Sequence, residues 1–250
     1  MKMNGTSMTM TGETYLLLRN QILSGEIAPG SKLRTSQLRV RLNISLSTVR
    51  EALSQLLSEG LVTAAAHRGW VAAGVSAEDL RDLTRVRIEI ETVCLTWSIE
   101  AGDLEWESRV IAAAHRLSKT FREHRPGAKV ESAWTTAHDE FHFALVSACK
   151  SPRLLLIHRQ LYEQSERYRK LEMARPPSRD PDAEHNRIVQ AALGRDVPKA
   201  TRLMRGHLQL TAENILKAMG RIKGSSTVEG KPAGGPSRRQ RSGPVAALAR

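Results

Sequence analysis

The sequence predicts a mainly α-helical protein with two folded parts: an N-terminal winged helix-turn-helix with a short β wing, and a C-terminal antiparallel all-helical bundle. Three observations support this fold class. Residues 11–74 contain three short helical patterns, followed by two short apolar segments on either side of Arg68-Gly69. Residues 76–219 contain one helical pattern after another, and no segment alternates apolar and polar residues with a period of two. Finally, the basic charge is concentrated at the two ends of the chain.

The net charge of +12 suggests a polyanionic partner. Residues 1–74 carry 8 Lys and Arg against 4 Asp and Glu, and residues 220–250 carry 7 against 1, whereas the middle of the chain is nearly neutral. An aromatic content of 4% offers no stacking platform for single strands, so duplex DNA is the better partner. No apolar run has the length of a membrane span, and we expect a cytoplasmic protein. Cys94 and Cys149 form no CxxC pair, which speaks against a thiolate zinc site.

Residues 1–10 are predicted to be a flexible N-terminus, and residues 11–74 the DNA-binding domain. The stretch "TYLLLRNQILSG" predicts a helix that ends at Gly25, and "TSQLRVRLN" predicts a second helix. The stretch "ISLSTVREALSQLLSEG" predicts a third helix that ends at Gly60. Two helices joined by a tight turn are the arrangement that places the second helix in the major groove of DNA. Its exposed face offers hydroxyl and guanidinium groups for phosphates and bases, from Ser45, Ser47, Thr48 and Arg50.

The bundle, residues 76–219, is predicted to bind an effector and to dimerise. Ser76, with Asp79 three residues later, predicts the start of a helix that runs to about residue 101. Further helices are predicted over 104–123, 131–149, 152–173, 181–193 and 197–219, with Pro and Gly at the breaks. Residues 220–250 contain 13 Gly, Pro or Ser among 31, which predicts a basic disordered tail.

Four histidines are predicted to face the bundle interior: His138, His142, His185 and His207. Taken singly, each is more often a hydrogen-bonded core histidine than a metal ligand. Together they favour a divalent metal, which binds several neutral imidazoles at once. The stretch "HDEFH" also resembles the HExxH signature of zinc peptidases, but Asp139 stands where the general base Glu is needed. A metal-dependent hydrolase is therefore kept as the alternative function.

The segments "QILSGEIAPGSKL", "STVREALSQLLSEGLV" and "HRGWV" together resemble the winged helix-turn-helix of the GntR family of bacterial transcription regulators. The resemblance implies DNA contacts from the recognition helix and the wing tip, with Arg34 and Arg68 as flanking contacts; on this chain the principal residues are Ser45, Ser47, Thr48, Arg50 and Gly69. The family usually has Arg after the Ser that opens the helix, and this chain has Leu46. The resemblance therefore implies that its operator differs from those of relatives.

The segments "FHFALVSACKSPRLL" and "EHNRIVQAAL" resemble the FCD effector domain found in one GntR subfamily. The resemblance implies a metal bound by His142, His185 and His207. The position of the family's Asp ligand holds His138, and Asp139 is displaced by one residue. An all-histidine site favours Zn or Ni over Mn or Mg; alternatively, Asp139 turns inward, or the site holds no metal.

The resemblance further implies a small carboxylate effector, with Arg87 at the position of the family's effector-binding Arg. The alternative for Arg87 is an ion pair with Glu91, and Tyr168 and Arg169 are weaker candidates for lining the cavity. We expect a homodimer that binds a pseudo-palindromic operator in double-stranded DNA and acts as a repressor, the commoner outcome in the family. We expect neither an enzyme nor a membrane partner.

Overall fold

The computed structural model describes residues 8–65, 69–123, 132–171 and 179–225. Within these ranges the chain forms nine helices and one three-stranded sheet. In chain order the elements are α1 (Met10–Ser24), β1 (Lys32–Leu33), α2 (Thr35–Leu42), α3 (Leu46–Ser58), β2 (Val62–Ala65), β3 (Gly69–Ala72), α4 (Ala77–Ala101), α5 (Leu104–Glu123), α6 (Ser132–Val146), α7 (Pro152–Leu171), α8 (Pro181–Leu193) and α9 (Val197–Ser225).

The N-terminal domain packs α1, α2 and α3 around one small apolar core. Helix α3 contributes Val49, Leu53 and Leu56, which recur at helical spacing and are fully buried. They pack with Leu18 and Ile22 of α1 in the same core cluster. The hydroxyl groups and charges of α3 are left on its outer face.

A tight turn joins α2 to α3, and the predicted helix-turn-helix is confirmed. Asn43 ends α2 with φ 51°, a left-handed conformation that Asn adopts more readily than most residues. Ser45 then begins α3 as its N-cap, because its hydroxyl accepts a hydrogen bond from the Thr48 backbone N–H at 3.1 Å.

The predicted two-stranded wing is also confirmed, since β2 and β3 pair antiparallel with Ala65 opposite Gly69. Gly69 has φ +69°, a conformation that a side chain would disfavour. Arg68 lies outside the described residues. The sequence did not predict β1, which pairs with β3 and completes the order β1-β3-β2. A strand of two residues is too short to show a periodic pattern.

Helices α4 to α9 form the C-terminal bundle. Helix α4 packs against α6, α7 and α9, while α5 packs against α6 and α8, and α8 against α9. Trp106, Phe141 and Leu145 are fully buried in its main core. Ser76 caps α4 as predicted, because its hydroxyl accepts from the Asp79 backbone N–H at 3.0 Å. Among the described helices, none has the length and apolarity to cross a membrane.

The predicted bounds of α5 and α8 match the structure, and α6 ends three residues earlier than predicted. The predicted end of α7, residue 173, lies outside the described residues. Helix α9 continues through Ser225, six residues past the predicted end of the bundle, because extending an existing helix adds one hydrogen bond per residue. At the other end, Thr9 caps α1, so the helix begins within the predicted flexible N-terminus. Residues 1–7 and 226–250 lie outside the described residues.

Candidate metal and effector site

Four histidines from three helices meet inside the bundle. Helix α6 supplies His138 and His142, α8 supplies His185, and α9 supplies His207; all four are buried. One ring nitrogen from each lies within 4.8 Å of one from each of the others. The spacing of four residues puts both α6 histidines on one helix face. The structure therefore brings together all four residues that the sequence suggested as ligands.

Two carboxylates set the orientation of two of these rings. Nδ1 of His142 donates to Glu91 Oε1 at 3.0 Å, and Nδ1 of His207 donates to Glu184 Oε2 at 2.8 Å. Because an ionised carboxylate only accepts, each pair leaves the lone pair of Nε2 for another partner. Nε2 of His142 and Nε2 of His185 have no hydrogen-bond partner within the described part of the chain. The donor set therefore fits a divalent metal.

Burial keeps the four imidazoles neutral, which is the form that binds metal. It lowers the pKa of His142 and of His207 to about 4, although the adjacent carboxylate opposes the shift in each case. Burial also lowers the pKa of His138 and of His185 well below the ordinary range. For His138, the nearby Arg169 guanidinium adds to this shift.

Asp139 is not part of the four-histidine group. Its Oδ1 accepts a hydrogen bond from the Tyr162 hydroxyl at 2.6 Å, and it lies in a separate group with His138 and Glu166. Burial raises the pKa of Asp139 to about 6, against the hydrogen bond from Tyr162. Of the two candidates for the fourth position, His138 is the one beside the other three histidines. The Asp139 carboxylate is engaged with Tyr162, so the geometry gives no support to the hydrolase alternative.

Arg87 forms the ion pair with Glu91, and the pair is buried. Its Nε lies 3.2 Å from Glu91 Oε2, and its Nη1 donates to Ser165 Oγ at 2.7 Å, while Nη2 has no hydrogen-bond partner among the described residues. The guanidinium group also lies over the Tyr162 ring, 4.7 Å from its centroid. His158 Nε2 lies 3.3 Å from the same carboxylate. Burial alone would raise the pKa of Glu91, but His158, Arg87 and the hydrogen bond from His142 lower it well below the ordinary range. Glu91 thus connects Arg87 to a candidate metal ligand.

Two further guanidinium groups border the histidines. Arg169 Nη1 lies 2.9 Å from His138 Nε2. Arg179 Nη2 donates to Glu184 Oε2 at 2.8 Å and lies 3.3 Å from His207 Nδ1. Both guanidinium groups therefore lie beside the four-histidine group, where each is also paired with a carboxylate, Arg169 with Glu166 and Arg179 with Glu184.

Sequence reasoning missed several of these residues. They share a polar side chain that reaches the histidines or their partners from another part of the fold: His158, Tyr162, Arg179 and Glu184. Glu91 was predicted as an ion-pair partner of Arg87 and not as a partner of His142. For Glu91 a signal was present, because it lies between the buried Ile88 and Leu95 on the core-facing stripe of α4. A carboxyl group at such a position requires buried partners. Arg179 precedes α8 and follows no periodic pattern.

The predicted DNA-reading residues lie on the outer face of the N-terminal domain. Ser45 Oγ lies 2.7 Å from Ser47 Oγ and 2.8 Å from Thr48 Oγ1, so the three hydroxyl groups form one network at the start of α3. Arg50 is exposed one turn further on, and Arg34 is exposed just before α2. The described candidates for DNA contacts are thus exposed, apart from the half-buried Thr48, and Gly69 is exposed on β3.

Helix α7 of the bundle also holds the N-terminal domain. Arg19 of α1 pairs with Glu163 of α7 and donates from Nε to Glu59 at 2.8 Å. Gln164 Nε2 donates to the backbone carbonyl of Glu59 at 2.7 Å. The end of α3 and the middle of α1 are therefore attached to the same helix.

The next turn of α7 holds the linker between the two domains. Arg167, which is buried, donates to the backbone carbonyl of Ala73. The Tyr168 hydroxyl accepts from the Ser76 backbone N–H at 3.2 Å and donates to the Asp79 carboxylate. Tyr168 was a candidate for lining the cavity, but its hydroxyl is bonded to the linker and to the first turn of α4.

Comparison with known proteins agrees with this arrangement. Residues 10–71 match the family of bacterial regulatory proteins of the gntR type, and residues 82–210 match the FCD domain. The chain is 38% identical to the HTH-type transcriptional regulator BphR of Paraburkholderia xenovorans (strain LB400), over 84% of this chain and 86% of BphR. It is 35% identical to the HTH-type transcriptional repressor GlaR of Escherichia coli (strain K12), over 85% of this chain and 99% of GlaR.

Solved structures show the same architecture. A GntR regulator from Rhodococcus sp. RHA1 aligns with a TM-score of 0.66 at 25% identity, covering 83% of this chain and 98% of that one. McbR/YncC of E. coli shares the fold with a TM-score of 0.68 at 19% identity, covering 86% of this chain and all of that one. With its helix-turn-helix, its wing and its helical C-terminal domain, the chain is therefore a DNA-binding transcriptional regulator that belongs to the GntR family and carries an FCD domain.

Proposed function

We propose that the four-histidine site binds a small carboxylate and thereby controls the affinity of the N-terminal domain for operator DNA. The observation that carries this proposal is that the site and the DNA-binding domain share helix α7. Tyr162 and Arg169 contact His138, whereas Glu163 and Arg167 hold the N-terminal domain and the linker. Because Glu163 and Arg167 lie between Tyr162 and Arg169 on one helix, a displacement of α7 at the site also moves its contacts with the reading head.

The four histidines would hold a divalent metal, zinc or nickel rather than manganese or magnesium. Imidazole nitrogen suits zinc and nickel, whereas magnesium and manganese prefer oxygen ligands. The unpaired Nε2 atoms of His142 and His185 support this assignment, since leaving a buried polar atom unsatisfied costs about 1–3 kcal/mol. When bound, the metal supplies a positive centre that accepts a carboxylate oxygen. Glu91 and Glu184 hold His142 and His207 with Nε2 free to face it.

A carboxylate effector matches the charges around the site. Arg169 and Arg179 lie beside His138 and His207, and a guanidinium group can bind a carboxylate with two parallel hydrogen bonds. An effector would share these groups with their present partners, Glu166 and Glu184. Arg87 remains a proposed effector contact because its buried Nη2 has no partner among the described residues. The ion pair with Glu91 uses Nε, so the two interpretations of Arg87 are compatible.

Two copies of the chain would bind a pseudo-palindromic operator, each placing α3 in a major groove. Arg50, Ser47 and Thr48 would contact bases or phosphates there, while Ser45 caps the helix and Gly69 and Arg34 approach the backbone. Repression is the proposed outcome, and the related GlaR is named as a repressor. Effector binding would then release the operator.

An exposed apolar stripe on α4 supports the proposed homodimer. Val86, Val93 and Trp97 recur at spacings of seven and four residues and are 40%, 39% and 45% exposed. Isologous contact between two such stripes buries them and places two reading heads about a twofold axis. The twofold symmetry of a pseudo-palindromic operator requires this arrangement.

One set of measurements tests the proposal. Protein prepared without a histidine tag or chelator is analysed for bound metal, screened with small carboxylates by thermal shift, and titrated with operator DNA with and without the stabilising carboxylate. We expect stoichiometric metal in the native chain and none in His142→Ala/His185→Ala. Metal that persists in the double variant would exclude this ligand set, and a carboxylate that binds without changing DNA affinity would exclude the regulatory role.

A further inference from the structure

Leu46 is the large apolar residue at the start of the proposed DNA-reading helix. It is the first residue of α3, it is 36% exposed, and it is not part of the apolar core of the N-terminal domain. It precedes Arg50 by four residues, which places the two side chains next to each other on the helix surface. It also precedes the buried Leu53 by seven residues, so Leu46 lies at the border between the buried and the exposed face of α3.

Within the first turn of α3, Leu46 is the exposed residue that can offer DNA a large apolar side chain. The hydroxyls of Ser45, Ser47 and Thr48 are hydrogen-bonded to one another, and this first turn carries no acidic residue. A helix N-terminus attracts phosphate, so the first turn of α3 is drawn towards the DNA backbone at the edge of the groove. In this docking geometry the N-terminal residues of the second helix meet the base edges.

We propose that Leu46 recognises the C5-methyl group of a thymine in each operator half-site. Thymine is the one base that presents a methyl group in the major groove, and apolar side chains read it by direct contact. Leucine neither donates nor accepts a hydrogen bond, so the remaining features of the base edges are left to Arg50 and its hydroxyl-bearing neighbours. The assignment rests on the placement of α3 in the major groove proposed above.

The test removes one methyl group at a time. The full-length protein is first used to select preferred sites from a random duplex library, and each thymine of the selected half-site is then replaced by 2′-deoxyuridine. Binding is measured by fluorescence anisotropy for the native chain and for Leu46→Ala. Loss of one buried methyl contact predicts about fourfold weaker binding at a single thymine. The native chain is expected to show this loss, and Leu46→Ala to bind the thymine and uracil duplexes equally.

Leu57→Ala is the matched control, because Leu57 lies on the same helix with 42% exposure, eleven residues from Leu46. We expect it to keep the native thymine preference, and Leu46→Arg to shift the preference at that position towards guanine. If Arg50→Ala weakens binding while no uracil substitution has an effect, or while Leu46→Ala keeps the preference, the assignment of Leu46 is overturned. If Arg50→Ala also leaves affinity unchanged, the placement of α3 is itself wrong.

Discussion

The carboxylate of Glu91 is the buried charge on which the candidate metal site depends most directly. It is fully buried and meets Arg87 Nε at 3.2 Å, His142 Nδ1 at 3.0 Å and His158 Nε2 at 3.3 Å. The substitution Glu91→Gln keeps the size of the side chain and removes its charge. Arg87 then retains a buried positive charge without its carboxylate, and the single amide oxygen of Gln cannot accept from both His142 and Arg87.

The two losses have different expected magnitudes. Removing one partner of a buried ion pair costs about 3–5 kcal/mol of unfolding free energy, which corresponds to a fall in Tm of roughly 10 °C in the metal-free protein. Removing the carboxylate that orients a metal-bound histidine weakens metal affinity about 10- to 100-fold, or about 1.4–2.7 kcal/mol. Both effects are therefore large enough to measure separately.

Two assays and a matched variant distinguish them. Thermal unfolding in EDTA reports the stability of the metal-free chain, and a zinc titration against a chromogenic chelator reports affinity. Glu184→Gln is the comparison, because Glu184 orients His207 but its side chain is 20% exposed and its partner Arg179 also donates to Thr211. We expect Glu184→Gln to lose about as much zinc affinity as Glu91→Gln, with a smaller decrease in the free energy of unfolding. Native zinc affinity in Glu91→Gln would refute the proposed role of this carboxylate.

Three further substitutions test the other parts of the proposal. Arg50→Ala is expected to weaken operator binding by about 1–3 kcal/mol without changing metal content, measured by anisotropy; unchanged affinity would show that α3 does not read the DNA. Trp97→Glu places a charge on the proposed dimer face and is expected to give monomers in sedimentation velocity, whereas Ile111→Glu, at an exposed site on α5, leaves the native state. Arg167→Ala is expected to keep its affinity for the effector, while the effector-dependent change in DNA affinity, ordinarily about 5- to 150-fold, falls towards onefold. Arg153→Ala, on the same helix, is the control. An unchanged effector response in Arg167→Ala would exclude the contact between Arg167 and the linker as the route of coupling.

The helices were predictable because their signals are local. Val49, Leu53 and Leu56 mark the buried face of α3 by spacing alone, and Pro152 marks the break before α7. The four inward histidines were also predictable from the helix faces that carry them. A histidine on the same helix face as buried apolar residues points to the interior of the bundle, whichever helix packs against that face.

The partners of those histidines were not predictable, because they depend on how separate helices pack. His142 meets Glu91 from 51 residues earlier in the chain, and Arg167 meets Ala73 from 94 residues earlier. No pattern within one helix encodes such a meeting. The choice between His138 and Asp139 has the same origin, since it is Tyr162 on α7 that takes up the Asp139 carboxylate.

If α7 couples the two domains as proposed, its contacts limit how this chain can be recombined with its relatives. A chimera that joins this reading head to the bundle of a relative, cut at the linker near Ala73, would replace Glu163, Gln164 and Arg167 together with the sensing residues. Such a biosensor would bind the new ligand and the old operator, but the two events would be independent. Placing these three residues on the corresponding helix of the relative is therefore the smallest change expected to restore the contacts with the N-terminal domain. A single residue inserted into α7 would break these contacts again, because it rotates the following side chains by about 100°.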